Sequence, residues 1–419
     1  MDNLIISRRR RFRRHLQSEL GEEDYLSNLP DELLHHILSF LPTLDSIRTS
    51  VLARRWRHVW TSVPVIDFSY LPLKSSIIDR FLASRGGDSF SRLHFTGLRR
   101  VDRENVVYKL VEYAKSHDAQ HVTLLDFFFE QCRLSLFDLL FDWPSLVSLD
   151  LRVVGCKSRT LSKCIFRLNN LKTLSLALPE NTIRNESLAK LLSGCPVLEE
   201  LKLNADYLWD DELIQIEAPN LLRLTLIPTP TNLQINCQKL EYLRLNPDFS
   251  FMYLHVEAPS LTSVRLYNIW RFRTFAHTVC DVTAVAIILS DECLSGFSPK
   301  FLRKYKAVIQ GFPIFHNLLE LKIKIYVAEK LSLDIVLDLL RCAPNLQSLV
   351  VTAYKKARWY DEDFDEWEKS SSSRINEPLE PLEHLERVSV NMKSKRIRSA
   401  FLKTLSDRVP TWDRAVVSY

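Results

Sequence analysis

One six-residue pattern recurs along most of this chain and decides what it can fold into: L-x-x-L-x-L, with other apolar residues tolerated at the leucine positions. It runs through Val122/Leu125/Phe127, Leu146/Leu149/Leu151, Leu171/Leu174/Leu176, Leu198/Leu201/Leu203, Leu221/Leu224/Leu226 and Leu240/Leu243/Leu245. It continues through Leu261/Val264/Leu266, Val282/Val285/Ile287, Leu318/Leu321/Ile323, Leu346/Leu349/Val351 and Leu385/Val388/Val390. The early copies recur every 19 to 27 residues, the period of a solenoid in which each unit supplies one short parallel strand. A single unit cannot cover its own inward leucines, so only a stack of units makes a core. Later copies are spaced more widely, between 282 and 318 and between 346 and 385, and the asparagine that closes the strand in regular repeats is mostly missing. The expected solenoid is therefore irregular.

The connecting segments support that reading. Ser193-Gly194-Cys195-Pro196, Ala218-Pro219-Asn220, Ala258-Pro259-Ser260 and Cys342-Ala343-Pro344-Asn345 are turn signals placed just before strands. Residues 185–192 and 332–340 carry helical periodicity and belong on the convex side. Residues 75–85 and 103–115 read as two further helices joined through Gly86-Gly87, bridging into the repeats. Residues 359–373 set acids among Phe364 and Trp367 and then run into serines, the composition of an exposed loop. The tail holds a last strand-like unit and a helix at 397–405.

Composition removes several function classes. With only 8 glycines the chain has neither G-x-G-x-x-G nor G-x-x-x-x-G-K-[ST], so no phosphate-cradling loop is expected. Eight cysteines without a C-x-x-C pair suit buried apolar roles in a reducing compartment. His117 and His121 are the nearest pair with ligand-like spacing, and no further ligand group stands close in sequence; neither a metal nor a cofactor is expected. Nor is an export leader or a membrane span, since the longest apolar run, 282–289, is far below the roughly 20 residues a span needs. Arg8, Arg9, Arg10, Arg11, Arg13 and Arg14 outweigh the whole formal excess of +5. Basicity is thus local, and it suits a nuclear-import signal or a plain disordered tail better than nucleic-acid binding, which no folded motif accompanies.

After that tail the pattern changes. Ser27 or Asn28 can cap a helix that opens with Pro30, Asp31 and Glu32, all favourable in a first turn, and runs to about Phe40 before Pro42 stops it. Leu33, Ile37 and Leu41 form one stripe along it, and Leu34 and Leu38 a second. Thr43 can cap a second helix carrying Ile47, Val51 and Leu52, and a third segment follows with Trp56, Val59 and Trp60. About forty residues bury too little surface to stand alone, so both stripes need cover from elsewhere.

The segment LPDELLHHILSFLPTLDSIRTSVLARRWRHVW, residues 29–60, closely resembles the F-box of plant F-box/leucine-rich-repeat proteins, from its L-P-D-E-L-L opening to its final tryptophan. The resemblance implies docking onto the Skp-type adaptor of an SCF (Skp, cullin, F-box) ubiquitin ligase, and through it onto cullin. It places Leu29, Pro30, Leu33, Ile37, Leu38, Leu41, Pro42, Val51 and Trp56 at the adaptor surface or in the core that supports it. The fold class is α/β: an N-terminal three-helix F-box, then an irregular leucine-rich-repeat solenoid with a parallel sheet on its concave face. Segments follow as a basic tail (1–24), the F-box (25–70), bridging atypical repeats (71–119), leucine-rich repeats (120–355), an acidic and serine-rich loop (356–378), and a last repeat with a degenerate FBD-like tail (379–419).

Side chains alternate faces in a strand, so residues beside the inward leucines point to the concave surface. Lys202, Tyr242, Arg244, Arg265, Tyr267 and Lys322 gather there, a surface suited to an acidic protein segment or an anionic small molecule. The expected function is non-catalytic: a nuclear or cytoplasmic substrate-recognition subunit that holds a target protein for ubiquitination. The alternatives are a scaffold that binds the adaptor without cullin, or nucleic-acid association through the arginine run.

Overall fold

The computed structural model describes residues 26–69, 75–86, 90–96, 103–128, 134–154, 163–177, 184–204, 212–247, 253–267, 281–289, 313–327, 330–355, 382–392, 395–406 and 416–418. The arginine run, the 359–373 loop and Gly87 lie outside them. The chain divides into two compact units, Met1–Phe128 and Phe129–Tyr419.

The first unit begins with helix α1 (Asp31–Leu38) and helix α2 (Thr43–Arg48), followed by 3-10 turns at Thr49–Val51, Arg55–Arg57 and Val59–Ser62. Helix α1 stops at Leu38, two residues short of the expected Phe40, and its N-cap is Pro30 with no side-chain cap. The expected caps are occupied otherwise. Ser27 Oγ accepts a 2.9 Å hydrogen bond from Trp56 Nε1, and Thr43 Oγ1 accepts one of 2.7 Å from the backbone N–H of Asp67. In both cases the hydroxyl serves a tertiary contact, and the helix N-caps are Pro30 and Pro42.

Strand β1 (Val65–Ser69) follows at once, and with β2 (Arg92–Thr96) and β3 (His121–Phe128) it makes a parallel sheet, Ile66 opposite Leu93 and Leu93 opposite Val122. Helices α3 (Ser75–Ser84) and α4 (Arg103–Ser116) connect these strands, tied by Lys109 Nζ to Asp79 at 2.6 Å and to Ser75 at 2.9 Å. The bridging region is therefore already strand–helix repeat, and β1 and β2 carry the template in the less regular forms Val63/Ile66/Phe68 and Phe90/Leu93/Phe95, all buried. In β3 the inward residues are Val122 and Leu124, with buried Ala119 before them, while Leu125 is only half-buried. This corrects the expected triplet Val122/Leu125/Phe127: the template sits three residues earlier, at Ala119/Val122/Leu124, and alternation along the strand then turns Leu125 off the inner face.

The second unit repeats the theme. Parallel strands β4 (Ser148–Val154), β5 (Thr173–Ala177), β6 (Glu200–Asn204), β8 (Arg223–Thr229), β10 (Tyr242–Pro247), β12 (Ser263–Tyr267), β13 (Ala284–Leu289), β14 (Glu320–Val327), β15 (Ser348–Lys355), β16 (Arg387–Asn391) and β17 (Val416–Ser418) pair in that order. Leu149, Leu174, Leu201, Leu224, Leu243, Val264, Val285, Leu321, Leu349 and Val388 stand in one buried row. Helices α5 (Leu134–Phe141), α6 (Asn185–Ser193), α7 (Lys330–Arg341) and α8 (Lys395–Ser406) join successive strands. Between 214 and 257 the joining segments are instead strands β7 (Ile214–Glu217), β9 (Asn232–Asn236) and β11 (Tyr253–Glu257), a second parallel sheet in the order β11-β9-β7. The short 19- and 21-residue repeats there leave too little chain for a helix.

Two details explain how units register. Asn220 Nδ2 donates to the Pro196 carbonyl at 3.1 Å, and Asn345 Nδ2 to the His316 carbonyl at 2.8 Å. Asparagines thus stand before the strand and bridge to the preceding repeat, satisfying turn carbonyls. At the end of α6, Gly194 lies so close to Phe166 that an added Cβ would fall 2.5 Å from the Phe166 carbonyl oxygen.

Candidate functional site

The F-box core consists of Leu34, Leu38, Trp56, Val59 and Val63, with Leu29, Ala53 and Val65 packed against it. At about 100° per residue, Leu34 and Leu38 share the inner side of α1, while Leu33 and Ile37 stand on the next. This resolves the nine F-box residues named from sequence. Leu38 at 1% and Trp56 at 5% exposure are core, and Leu29 supports them. Pro30, Leu33, Ile37, Leu41, Pro42 and Val51 are exposed, Val51 to 85%. The structure adds Phe40 at 74% and Leu52 at 68%, along with Leu26. Phe40 continues the Leu33–Ile37 stripe by three residues, a signal present in the sequence. One stripe is therefore covered by this chain, while the residues of the other are exposed.

Charged groups tie the segments of the F-box together. Arg55 forms a 2.9 Å ion pair with Asp31 at the start of α1 and donates to the Ser27 carbonyl. At the other end of the F-box, Trp60 stacks on Phe81 of α3 with centroids 5.8 Å apart, and Arg85 donates to the Val63 carbonyl at 2.7 Å. The Arg85 guanidinium lies 5.4 Å from the Phe90 ring centroid, and burial lowers its pKa from the ordinary arginine value against the opposing effect of Tyr113.

On the sheet of the second unit, the polar face carries the row Asp150, Ser175, Lys202, Thr225, Arg244, Arg265, Ala286, Lys322, Val350 and Ser389, each opposite the next. Arg244 and Arg265 are direct neighbours. Tyr242 sits one row over, its ring centroid 5.9 Å from the Arg223 guanidinium. Lys202 is exposed; Lys322 is held by Glu320 at 2.7 Å, so its charge is not free as the sequence suggested. Tyr267 ends β12 opposite Ile288, and its side chain lies outside the described residues.

The described cysteines are buried. Burial pushes the thiols of Cys164, Cys237 and Cys342 up to about 11 and that of Cys195 up to about 12, so none is a thiolate near neutral pH. No three His, Cys, Asp or Glu side chains among the described residues are grouped to hold a metal. His117 stacks on Tyr113 at 3.9 Å. No helix among them is long and apolar enough to cross a membrane.

Known proteins match along the same lines. The family model described as F-box domain covers residues 26–67, and one described as the leucine-rich repeats of FBD-associated F-box protein At5g56370 covers 110–235. F-box/LRR-repeat protein 25 of Arabidopsis thaliana is 33% identical over 232 residues, 53% of this chain and 85% of that protein. F-box/FBD/LRR-repeat protein At5g22660 of the same plant is 28% identical over 362 residues, covering 78% and 76%. Putative F-box/LRR-repeat protein At5g02930 is 32% identical over 251 residues, and there the match spans only 51% of the relative's length. With an F-box, leucine repeats and relatives matched over most of their length, this chain belongs to the plant F-box/leucine-rich-repeat family, on its FBD-associated side.

Proposed function

We propose that the chain is the substrate-recognition subunit of an SCF-type E3 ubiquitin ligase: the F-box docks on a Skp-type adaptor, and through it on cullin, while the repeats hold a target protein. The observation that carries this reading is the uncovered ridge of Leu33, Ile37, Phe40, Leu41, Val51 and Leu52. Each aliphatic side chain there gains about 1.5–3 kcal/mol on full burial, enough for a partner to bind firmly.

The target surface is the polar face of the second unit's sheet, through Lys202, Tyr242, Arg244, Arg265, Tyr267 and Lys322. Arginine and tyrosine are favoured at binding hot spots. The subunit itself performs no chemistry. Tethering a target beside the ubiquitin-loaded enzyme raises its effective concentration, which requires neither nucleophile nor base from this chain.

The test is co-purification of Skp-type adaptor and cullin with the full chain and with an Ile37→Asp/Val51→Asp variant. The wild type should retain both partners and the variant neither, with unchanged melting. Retention of both by the variant overturns the docking site; recovery of adaptor without cullin from the wild type overturns the ligase role.

A further inference from the structure

Strand β13 interrupts a row of long side chains with two small ones. Ala286 lies opposite Arg265 on one side and Lys322 on the other, and Ala284 opposite Ser263 and Glu320. Strands lie about 4.8 Å apart, so the two walls stand roughly 10 Å from each other across an alanine floor. Both alanines are half-buried, while Val285 and Ile287 point into the core.

The walls differ in charge. On β14, Lys322 and Glu320 neutralise one another at 2.7 Å. On β12, the Arg265 Nε is covered by neighbouring atoms without a hydrogen-bond acceptor, and the side chain has no ion pair among the described residues. Arg244 stands directly opposite it on the far side, in a row whose next members, Thr225 and Ala286, are neutral. Like charges directly opposed across strands are destabilising. An anion beside Arg265 offsets that repulsion, and Ala286 puts no long side chain in the notch next to it.

We infer that this notch is the specificity pocket of the target surface: it receives a single Asp or Glu side chain of an extended acidic segment in the target protein, bound by Arg265 with Arg244 behind it. The inference rests on the reading of this face as the target-binding surface. On the opposite wall Lys322 is already held by Glu320, so only the Arg265 side offers charge to the notch, which suits a singly charged carboxylate. The alanines set its depth; a larger residue at 286 fills it without changing any charge.

The test uses the full chain and degenerate nonapeptide pools fixed at the centre as Asp/Glu, Asn/Gln or phosphoserine. The Asp/Glu pool should be retained about tenfold or more over the Asn/Gln pool. Ala286→Leu should abolish that preference at unchanged melting temperature, and Ala286→Ser should keep it. Equal retention of acid and amide pools, stronger retention of phosphoserine, or a preference that survives Ala286→Leu overturns the notch. A separate arm follows cellular targets captured by the F-box-deleted chain. If Arg244→Glu/Arg265→Glu still captures them, the wider reading of the face fails as well. If that double variant loses them while Ala286→Leu keeps the acid preference, only the notch is wrong.

Discussion

Trp56 Nε1 and Ser27 Oγ are joined by a 2.9 Å hydrogen bond across 29 residues of sequence, closing the F-box on itself. The indole is core and its one polar atom still finds an acceptor, as buried tryptophans require. Helix α1 begins at Asp31 with Pro30 as its N-cap, so the Ser27 hydroxyl serves the third segment of the F-box rather than a helix end.

That exchange separates fold from docking. Ser27→Ala should cost about 1 kcal/mol of stability, and Trp56→Ala about 3–5 kcal/mol, measured by denaturant unfolding of the full chain. Val51→Ala and Leu52→Ala should leave unfolding almost unchanged and weaken adaptor binding in titration calorimetry. If Trp56→Ala melts like wild type, the division of the F-box into core and ridge is wrong.

Gly194 faces the Phe166 backbone, which cannot rotate away. Gly194→Ala should therefore destabilise by about 1–3 kcal/mol through overpacking. Gly86 has nothing within 4 Å of an added Cβ, so Gly86→Ala should be neutral or slightly stabilising. Thermal melts of the pair check both, and equal melts would contradict the close approach at 194.

The four described cysteines should resist alkylation. With thiol pKa values of about 11 to 12, they stay protonated at pH 8 as well as shielded. Site-resolved mass spectrometry after iodoacetamide should find Cys164, Cys195, Cys237 and Cys342 unlabelled in native protein and fully labelled in denaturant. Labelling of Cys195 under native conditions would show that its surroundings open.

His121, half-buried and near Arg92, has its pKa lowered from the ordinary 6.5, by burial first and by the arginine second. The native state therefore binds a proton less readily than the unfolded chain. Its contribution should be fully present above about pH 6.5 and decline as pH falls below that value. Unfolding measured from pH 7.5 to 5 should show a shallower acid-side loss in His121→Asn than in wild type; identical slopes would remove His121 as a source.

Much of this was legible in the residues. Leu149, Leu174, Leu201, Leu224 and Leu243 announce their strands by spacing alone, because a buried parallel strand tolerates little but leucine, valine and isoleucine at inward positions. The neighbour relation of Arg244 and Arg265 followed from aligning those triplets. Strand β2 is less plain because two of its three template positions, Phe90/Leu93/Phe95, hold phenylalanine in place of leucine. The roles of the Ser27 and Thr43 hydroxyls are not local in sequence: their donors, Trp56 and Asp67, are 29 and 24 residues away. The pairing of Lys322 with Glu320 lay two residues off, yet only alternation brings both to one face.

The Arg85 contact with Val63, together with the Trp60 stack on Phe81, leaves no elbow between the F-box and strand β1. A push on the ridge is thus transmitted to the first strands as through a stiff handle. Whatever grips Leu33 and Val51 fixes the heading of β1, β2 and β3 along with it.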